Sequence, residues 1–207
     1  MKQIAGPHRE GLRRIATALM ALLAAGVLGG CNITTFDSIP LTEGPCDPHM
    51  PGDWHAVSDK QPADPSSVEL KIDSECKRVE AVGDSENGEK PTHESLPLHL
   101  GHDGAWDYAW VDVAPFNRSK DPELSGFYLV RYRIHGDRMD LYVTDDEAIA
   151  KGIFDGRLFG TARVQNSKFR SVSNRVGARV DLRGFNEQVA FLAKPMRFER
   201  SQQAHSQ

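Results

Sequence analysis

Apolar and charged residues alternate over several short segments of this chain, and a period of two restricts the fold to one made mainly of β-strands. In residues 68–72, valine, leucine and isoleucine alternate with charged residues, which is typical of a strand with one buried face. Residues 128–134 and 139–143 show the same alternation, and a short link containing Gly136 joins them. These two segments are therefore predicted to form an antiparallel hairpin.

Two segments have helical spacing instead. Residues 144–147 have the pattern of a capping box, and apolar residues spaced as on one helix face follow as far as Gly156. A second helix is predicted from about Gly184 to Lys194, where Pro195 ends it. Further strands are predicted at 54–58, 77–82, 106–113, 158–165, 171–181 and 196–199. We therefore expect an α+β fold with a mainly antiparallel sheet, curved or barrel-like, and two short helices.

The N-terminus has the three parts of a secretory signal. Four basic residues precede an apolar run from Ile15 to Leu28. That run is shorter than the roughly 20 residues that a membrane-spanning helix needs. Two glycines and Cys31 follow it. A buried N-terminal helix would explain neither the basic flank nor the abrupt Gly-Gly stop.

The sequence Leu28-Gly29-Gly30-Cys31 resembles the lipobox of bacterial lipoproteins. The resemblance implies that residues 1–30 are a signal peptide, and that Cys31 carries a diacylglycerol on its sulfur and an acyl chain, such as palmitate, on its amine. Two or more chains give a stable anchor. Asn32 follows the cysteine, which is similar to the outer-membrane lipoproteins of enteric bacteria. The resemblance thus implies an exported protein, lipid-anchored to the cell envelope at the outer membrane and facing the periplasm.

The charge balance excludes one class of partner. The chain has a formal net charge of −4, and residues 31–207 alone carry −7. Nucleic-acid binding, which usually shows a basic excess, is not expected. Charge alone also disfavours binding to anionic lipid headgroups, so the acyl chains would have to anchor the protein.

Cys46 and Cys76 are the cysteines that remain after Cys31. In an oxidising compartment two such thiols normally pair, so we predict a disulfide between them. A redox or metal pair is the alternative, but the spacing is not C-x-x-C. By composition, residues 31–51 are predicted to be a tether, 52–200 a single globular domain and 201–207 a polar tail.

The residues Gly52-Asp53-Trp54 open the predicted domain. They resemble the Gly-x-Trp that begins the first strand of lipocalins. The resemblance implies that Trp54 closes the floor of a barrel and that a late arginine, Arg197 or Arg200, packs on it. The predicted helix at 145–155 departs from the lipocalin strand succession. Alternatively, Trp54 is an ordinary core aromatic.

Between His93 and Asp112 lies the densest group of residues able to do chemistry. His93, His99, His102 and Asp103 are candidate metal ligands, and solvated histidines are the alternative. Because no strong metal-binding spacing occurs, no metal or other cofactor is predicted.

Trp106, Tyr108 and Trp110 share one face of a predicted strand, so they either line a ligand pocket or belong to the sheet core. Arg131 and Arg133 also share a face, which would meet phosphate or lipopolysaccharide headgroups, or simply solvent.

Three functions follow from these patterns. The first is a lipid-anchored envelope protein that binds or scaffolds, with another envelope protein or a small apolar ligand as its partner. The second is a lipocalin-like carrier of a small apolar ligand. The third is an envelope-acting enzyme centred on His93–Asp112. A cluster of His99, His102, Asp107 and Trp110 in one cleft would favour the enzyme, and an enclosed apolar cavity of roughly a few hundred Å³ would favour the carrier.

Overall fold

The computed structural model describes residues 32–57, 68–83, 92–114, 125–166, 170–180 and 185–201. Within these residues the chain forms eleven strands and two helices. In chain order they are β1 (Ile33–Phe36), β2 (Gly52–Val57), β3 (Val68–Ile72), β4 (Arg78–Gly83), β5 (Thr92–Asp103), β6 (Trp106–Asp112), β7 (Phe127–His135), β8 (Arg138–Val143), α1 (Asp146–Phe154), β9 (Gly160–Asn166), β10 (Arg170–Val176), α2 (Phe185–Gln188) and β11 (Met196–Arg200).

Eight of the strands close into a barrel. Following hydrogen-bonded neighbours, the order is β2, β3, β4, β5, β6, β7, β8 and β11, and β11 pairs with β2 to complete the circle. Every pairing in this circle is antiparallel. The predicted α+β class with a barrel-like antiparallel sheet is confirmed, as is the β7–β8 hairpin.

The alternation of side chains along the strands fills the barrel with apolar groups. Leu70 of β3 and Leu98 of β5 are buried in one cluster with Leu141 of β8, whereas Glu69 and Lys71 between the apolar residues of β3 are exposed. Burying these apolar side chains is the main favourable term in folding such a barrel.

A three-stranded extension leaves the barrel where β7 begins. Phe36 of β1 pairs with Phe127 of β7, and β1 runs parallel to β10, which pairs in turn with β9. Thr34, Thr35 and Phe36 are fully buried. This differs from the tether expected over residues 31–51, because residues 33–36 belong to the sheet. A four-residue Ile-Thr-Thr-Phe strand is too short to show a period in the sequence.

Helix α1 lies close to its predicted position. Its N-cap is Asp145, whose side chain accepts a hydrogen bond from the Ala148 N–H at 3.0 Å, so the capping residue is not Thr144. Its apolar face packs against β9 and β10.

Helix α2 is shorter than the helix predicted for residues 184–194, and the prediction is wrong beyond Gln188. The chain turns instead to pair with the end of β8. Phe191 forms a bridge with Thr144, and the Leu192 N–H donates to the Val143 carbonyl at 2.9 Å.

The predicted disulfide is present. Cys46 and Cys76 are bonded, with their Cα atoms 5.3 Å apart, and they join the segment before β2 to the turn between β3 and β4. In the described ranges no helix has the length and apolar character needed to cross a bilayer.

Candidate functional site

An apolar cavity of about 110 Å³ lies among the inward side chains of the barrel and is partly open. The residues around it are aliphatic, aromatic or methionine side chains from β3 to β8 together with Met50. Two of them are alanines, Ala81 on β4 and Ala109 on β6, and both are buried. Alanine side chains at inward positions leave space that larger side chains would fill.

The size of the cavity limits what it can hold. Sites for drug-sized ligands usually measure about 300–1,000 Å³. An engineered apolar cavity of about 150 Å³ binds benzene. The present cavity is smaller than the few hundred Å³ expected of a carrier. It therefore suits only one small apolar molecule or the end of a single hydrocarbon chain. Tyr128 borders it, and burial raises the pKa of its phenol, so the lining remains neutral.

Trp54 lies in the barrel core near the end where β2 begins and β11 finishes. This side chain is fully buried, and its indole Nε1 donates to the Met50 carbonyl at 2.8 Å. The guanidinium carbon of Arg200, which lies directly opposite Trp54 in the β2–β11 register, is 4.3 Å from the ring centroid. The Arg200 guanidinium also donates to the carbonyls of Pro51 and His49, each at 2.6 Å.

Of the two arginines that the sequence offered as partners of Trp54, the structure selects Arg200. Arg197 lies on the same strand but is exposed and pairs in register with Val57. The barrel thus has a buried tryptophan with a late arginine packed on it, as the lipocalin resemblance implies.

The aromatic residues of β6 lie mainly on the outer side of the barrel. Tyr108 is fully buried against Phe185 and Phe191, and its hydroxyl donates to the Asn186 side chain. Burial raises the pKa of Tyr108 to about 12. This phenol therefore belongs to a second apolar core, between the barrel and α2, and does not face the cavity.

The other two aromatic residues of β6 differ in surroundings. Trp110 borders the cavity, and its indole stacks on the His99 ring with centroids 5.8 Å apart. Trp106 is half-buried and packs edge-on against Tyr142 at 5.5 Å.

The histidines of β5 do not meet in one cleft. His99 contacts Glu43 at 3.2 Å, whereas His102 contacts Asp107 at 2.9 Å and is largely exposed. Because they are three residues apart on a strand, their side chains point to opposite faces. The His93 side chain lies outside the described residues.

The residues suggested as an enzyme centre or a metal site are therefore dispersed. Asp103 accepts a hydrogen bond from the Asn186 side chain at 3.2 Å. Among the described residues no group of three or more His, Cys, Asp or Glu side chains could hold a metal ion.

A buried carboxyl group at the start of α1 was not indicated by the sequence. Asp146 Oδ1 accepts from the Thr34 hydroxyl at 2.6 Å and from the Thr144 hydroxyl at 3.2 Å. Burial raises its pKa to about 6. Asn174 Nδ2 donates to the Asp146 carbonyl at 2.7 Å, so this network joins β1, β10 and α1. Its partners come from distant parts of the chain, which is why no local pattern reveals it.

Comparison with protein-family models, with curated proteins and with solved structures found no match to the chain.

Proposed function

We propose that this chain is a lipid-anchored envelope protein whose barrel holds a small apolar ligand. The observation that carries the proposal is the closed antiparallel barrel with an apolar cavity of about 110 Å³ inside it. The Trp54–Arg200 arrangement at one end supports it, because it agrees with the lipocalin resemblance.

The chemistry of the lining defines the ligand class. Among the described residues, the cavity is bordered by aliphatic side chains, Met50, Met139 and the aromatic residues Trp110 and Tyr128, and none of these is charged. A charged ligand would lose its hydration there without compensation. The ligand is therefore neutral where it enters the barrel, as a small hydrocarbon or the end of one acyl chain would be.

The proposed anchor is Cys31, and the position of the next residue, Asn32, keeps it close to the sheet. The Asn32 side-chain carbonyl accepts a hydrogen bond from the Val172 N–H at 2.9 Å, and β1 starts at the next residue. The six residues from Cys31 to Phe36 span at most about 17 Å as a strand. An acylated Cys31 would thus hold the β1 end of the barrel close to the bilayer surface.

Ligand binding is tested with toluene as the probe, added to the full chain while the methyl resonances of Leu98 and Leu141 are followed by NMR. Toluene should shift both sets of resonances. Ala109→Leu should suppress the shift by filling the cavity, while Ala193→Leu adds the same volume at an exposed position and should not. Ala81→Val adds less volume to the same cavity and replaces Ala109→Leu if that variant does not fold. Unshifted wild-type resonances, or an equal response in the filled variants, would reject the binding function.

Anchoring is tested separately, by metabolic labelling with radioactive palmitate in a bacterial host. The wild type should incorporate label, and Cys31→Ser should not. Cys46→Ser is the matched control, because it removes a different cysteine and should leave labelling intact. Label that persists in Cys31→Ser would refute the anchor without affecting the cavity result.

A further inference from the structure

Two arginines on the outer face of the barrel stack on the same indole ring. The guanidinium carbons of Arg131 and Arg133 lie 3.6 and 3.7 Å from the centroid of Trp106. Two planar guanidinium groups cannot share one face of an indole at such distances without overlapping, so they lie on opposite faces.

Arg131 is held by further aromatic rings. Its guanidinium carbon is 4.7 Å from the Phe191 centroid and 5.1 Å from that of Tyr142. Its Nε is buried and has no hydrogen-bond partner. Burial lowers the pKa of Arg131, but a guanidinium remains charged. Stacking fixes the faces of a guanidinium and leaves the N–H groups at its edge available as donors.

Neither arginine has an acidic partner within the described part of the chain. The cross-strand neighbour of Arg133 is Asp140, and this carboxylate is already engaged by Arg138 through three contacts of 2.9–3.0 Å. Asp103, opposite Trp106 in the β5–β6 register, accepts from Asn186.

Several other arginines of the chain, unlike Arg131 and Arg133, do contact a carboxylate. Arg157, Arg175 and Arg200 each contact an aspartate, at 3.3, 2.6 and 3.3 Å respectively. Acidic residues outnumber basic ones in this chain, 29 to 25. The chain therefore has enough acidic residues to pair with these two arginines, yet no described one does. Their positive charge is open to an external anion.

We propose that Arg131 and Arg133, positioned by Trp106, bind a phosphate group on the outside of the barrel. A phosphate offers several oxygens that accept charge-assisted hydrogen bonds from the exposed edges of guanidinium groups. This site is separate from the cavity and does not depend on the proposed ligand or anchor.

The test titrates the full chain with inorganic phosphate and follows the indole N–H resonance of Trp106, assigned with Trp106→Phe. The resonance should shift saturably, and added salt should weaken the binding. Arg133→Gln should lower the affinity by about tenfold, because it removes a charge-assisted hydrogen bond. Arg133→Lys should restore part of the affinity.

Arg157→Gln is the control, since it removes an exposed arginine elsewhere on the surface and should change the affinity less than about twofold. Thermal unfolding monitored by circular dichroism verifies that each variant is folded. An equal shift in wild type and Arg133→Gln would overturn the proposal.

A second arm identifies the source of the phosphate. The full chain is floated with vesicles of pure phosphatidylcholine or of an equimolar mixture with phosphatidic acid. The quantity measured is the binding to vesicles with phosphatidic acid minus the binding to pure phosphatidylcholine vesicles. This difference is used because the N-terminal segment or its lipid binds both kinds of vesicle. An excess that Arg133→Gln abolishes indicates a lipid headgroup, and a response to inorganic phosphate without this excess indicates a free phosphate compound. No response in either arm would reject the site.

Discussion

Arg200 lies over the indole of Trp54, with its guanidinium carbon 4.3 Å from the ring centroid, and thereby joins the last strand of the barrel to the first. The same guanidinium donates to two carbonyls of the segment that enters β2, at Pro51 and His49. Asp137, in the turn between β7 and β8, contacts it at 3.3 Å. A single side chain therefore connects three parts of this end of the barrel.

Replacement of Arg200 should destabilise the barrel more than replacement of Arg197. Arg200→Ala removes hydrogen bonds from a charged donor and a cation–π contact, so we expect a loss of about 2–4 kcal/mol in the free energy of unfolding. Arg197→Ala, at an exposed position on the same strand, should cost about 1 kcal/mol or less. Urea denaturation measures both. Equal losses would mean that the end of the barrel near Trp54 does not depend on Arg200.

Reduction of the disulfide should weaken the fold without changing its topology. The bond between Cys46 and Cys76 closes a loop with a sequence separation of 30. The chain-entropy argument gives about 3–4 kcal/mol for such a loop. The double variant Cys46→Ser, Cys76→Ser should lose about this much in denaturant unfolding. Peptide mapping without reductant should find the two cysteines joined in the wild type, and two free thiols would contradict the assignment.

The pH dependence of stability should carry the signature of Asp146. Its pKa is about 6 in the folded chain, above the ordinary value of 3.8, so the folded state binds the extra proton between these values. Protonated Asp146 therefore contributes to the free energy of unfolding in full below about pH 4, and this contribution is lost as the pH rises through about 6. Asp146→Asn keeps an accepting oxygen and carries no charge. Between pH 4 and pH 7 the free energy of unfolding of the variant should therefore rise relative to that of the wild type, by at most about 3 kcal/mol.

Asp155→Asn provides a control, because the pKa of Asp155 is shifted in the opposite direction. The hydrogen bond from Lys151 lowers the pKa of the Asp155 carboxyl group, which is exposed. Folding favours its charged form, so this carboxylate stabilises the wild type above the ordinary aspartate pKa of 3.8, and that stability is lost only as the pH falls below it. Between about pH 4 and pH 7 the difference in stability between Asp155→Asn and the wild type should therefore stay constant. Unfolding curves over this pH range test both variants, and the same slope in Asp146→Asn and wild type would show that Asp146 does not titrate as described.

The junction between β1 and the barrel should depend on a glycine. Gly126 has φ of 92°, and a Cβ there would lie 2.3 Å from the Phe36 carbonyl oxygen. Gly126→Ala should therefore displace β1 and cost about 2 kcal/mol or more. Gly136, with φ of 62° and open space around its Cα, is the matched control, for which only about 1 kcal/mol of backbone strain is expected. Hydrogen exchange of the β1 amides should rise in the first variant alone.

The sequence predicted the strands well where one face is apolar and the other charged. Residues 68–72 have the predicted bounds, and β7 and β8 differ from theirs by one residue at most at either end. Strand β1 was missed because Thr34 and Thr35 are polar in sequence but completely buried in the sheet. The helix predicted over 184–194 was too long because Phe191 pairs with Thr144, a residue distant in sequence.

The candidate site was less predictable than the fold. The Gly-x-Trp pattern pointed to Trp54, and a late arginine was expected near it, but the pattern did not decide between Arg197 and Arg200. The Trp106, Tyr108 and Trp110 stripe suggested a pocket wall, whereas Tyr108 packs into an outer core and Trp106 lies between two arginines. Strand alternation assigns side chains to a face, but it does not state what covers that face.

The sequence by itself determined which segments are strands and which side chains share a face, because that information lies in neighbours one and two residues apart. Only the tertiary structure decided that the sheet closes, since closure joins β2 to β11 across most of the chain. It also decided that a cavity remains, at inward positions where Ala81 and Ala109 are small. The volume left inside a barrel depends on all the side chains that meet there, and those come from strands distant in sequence.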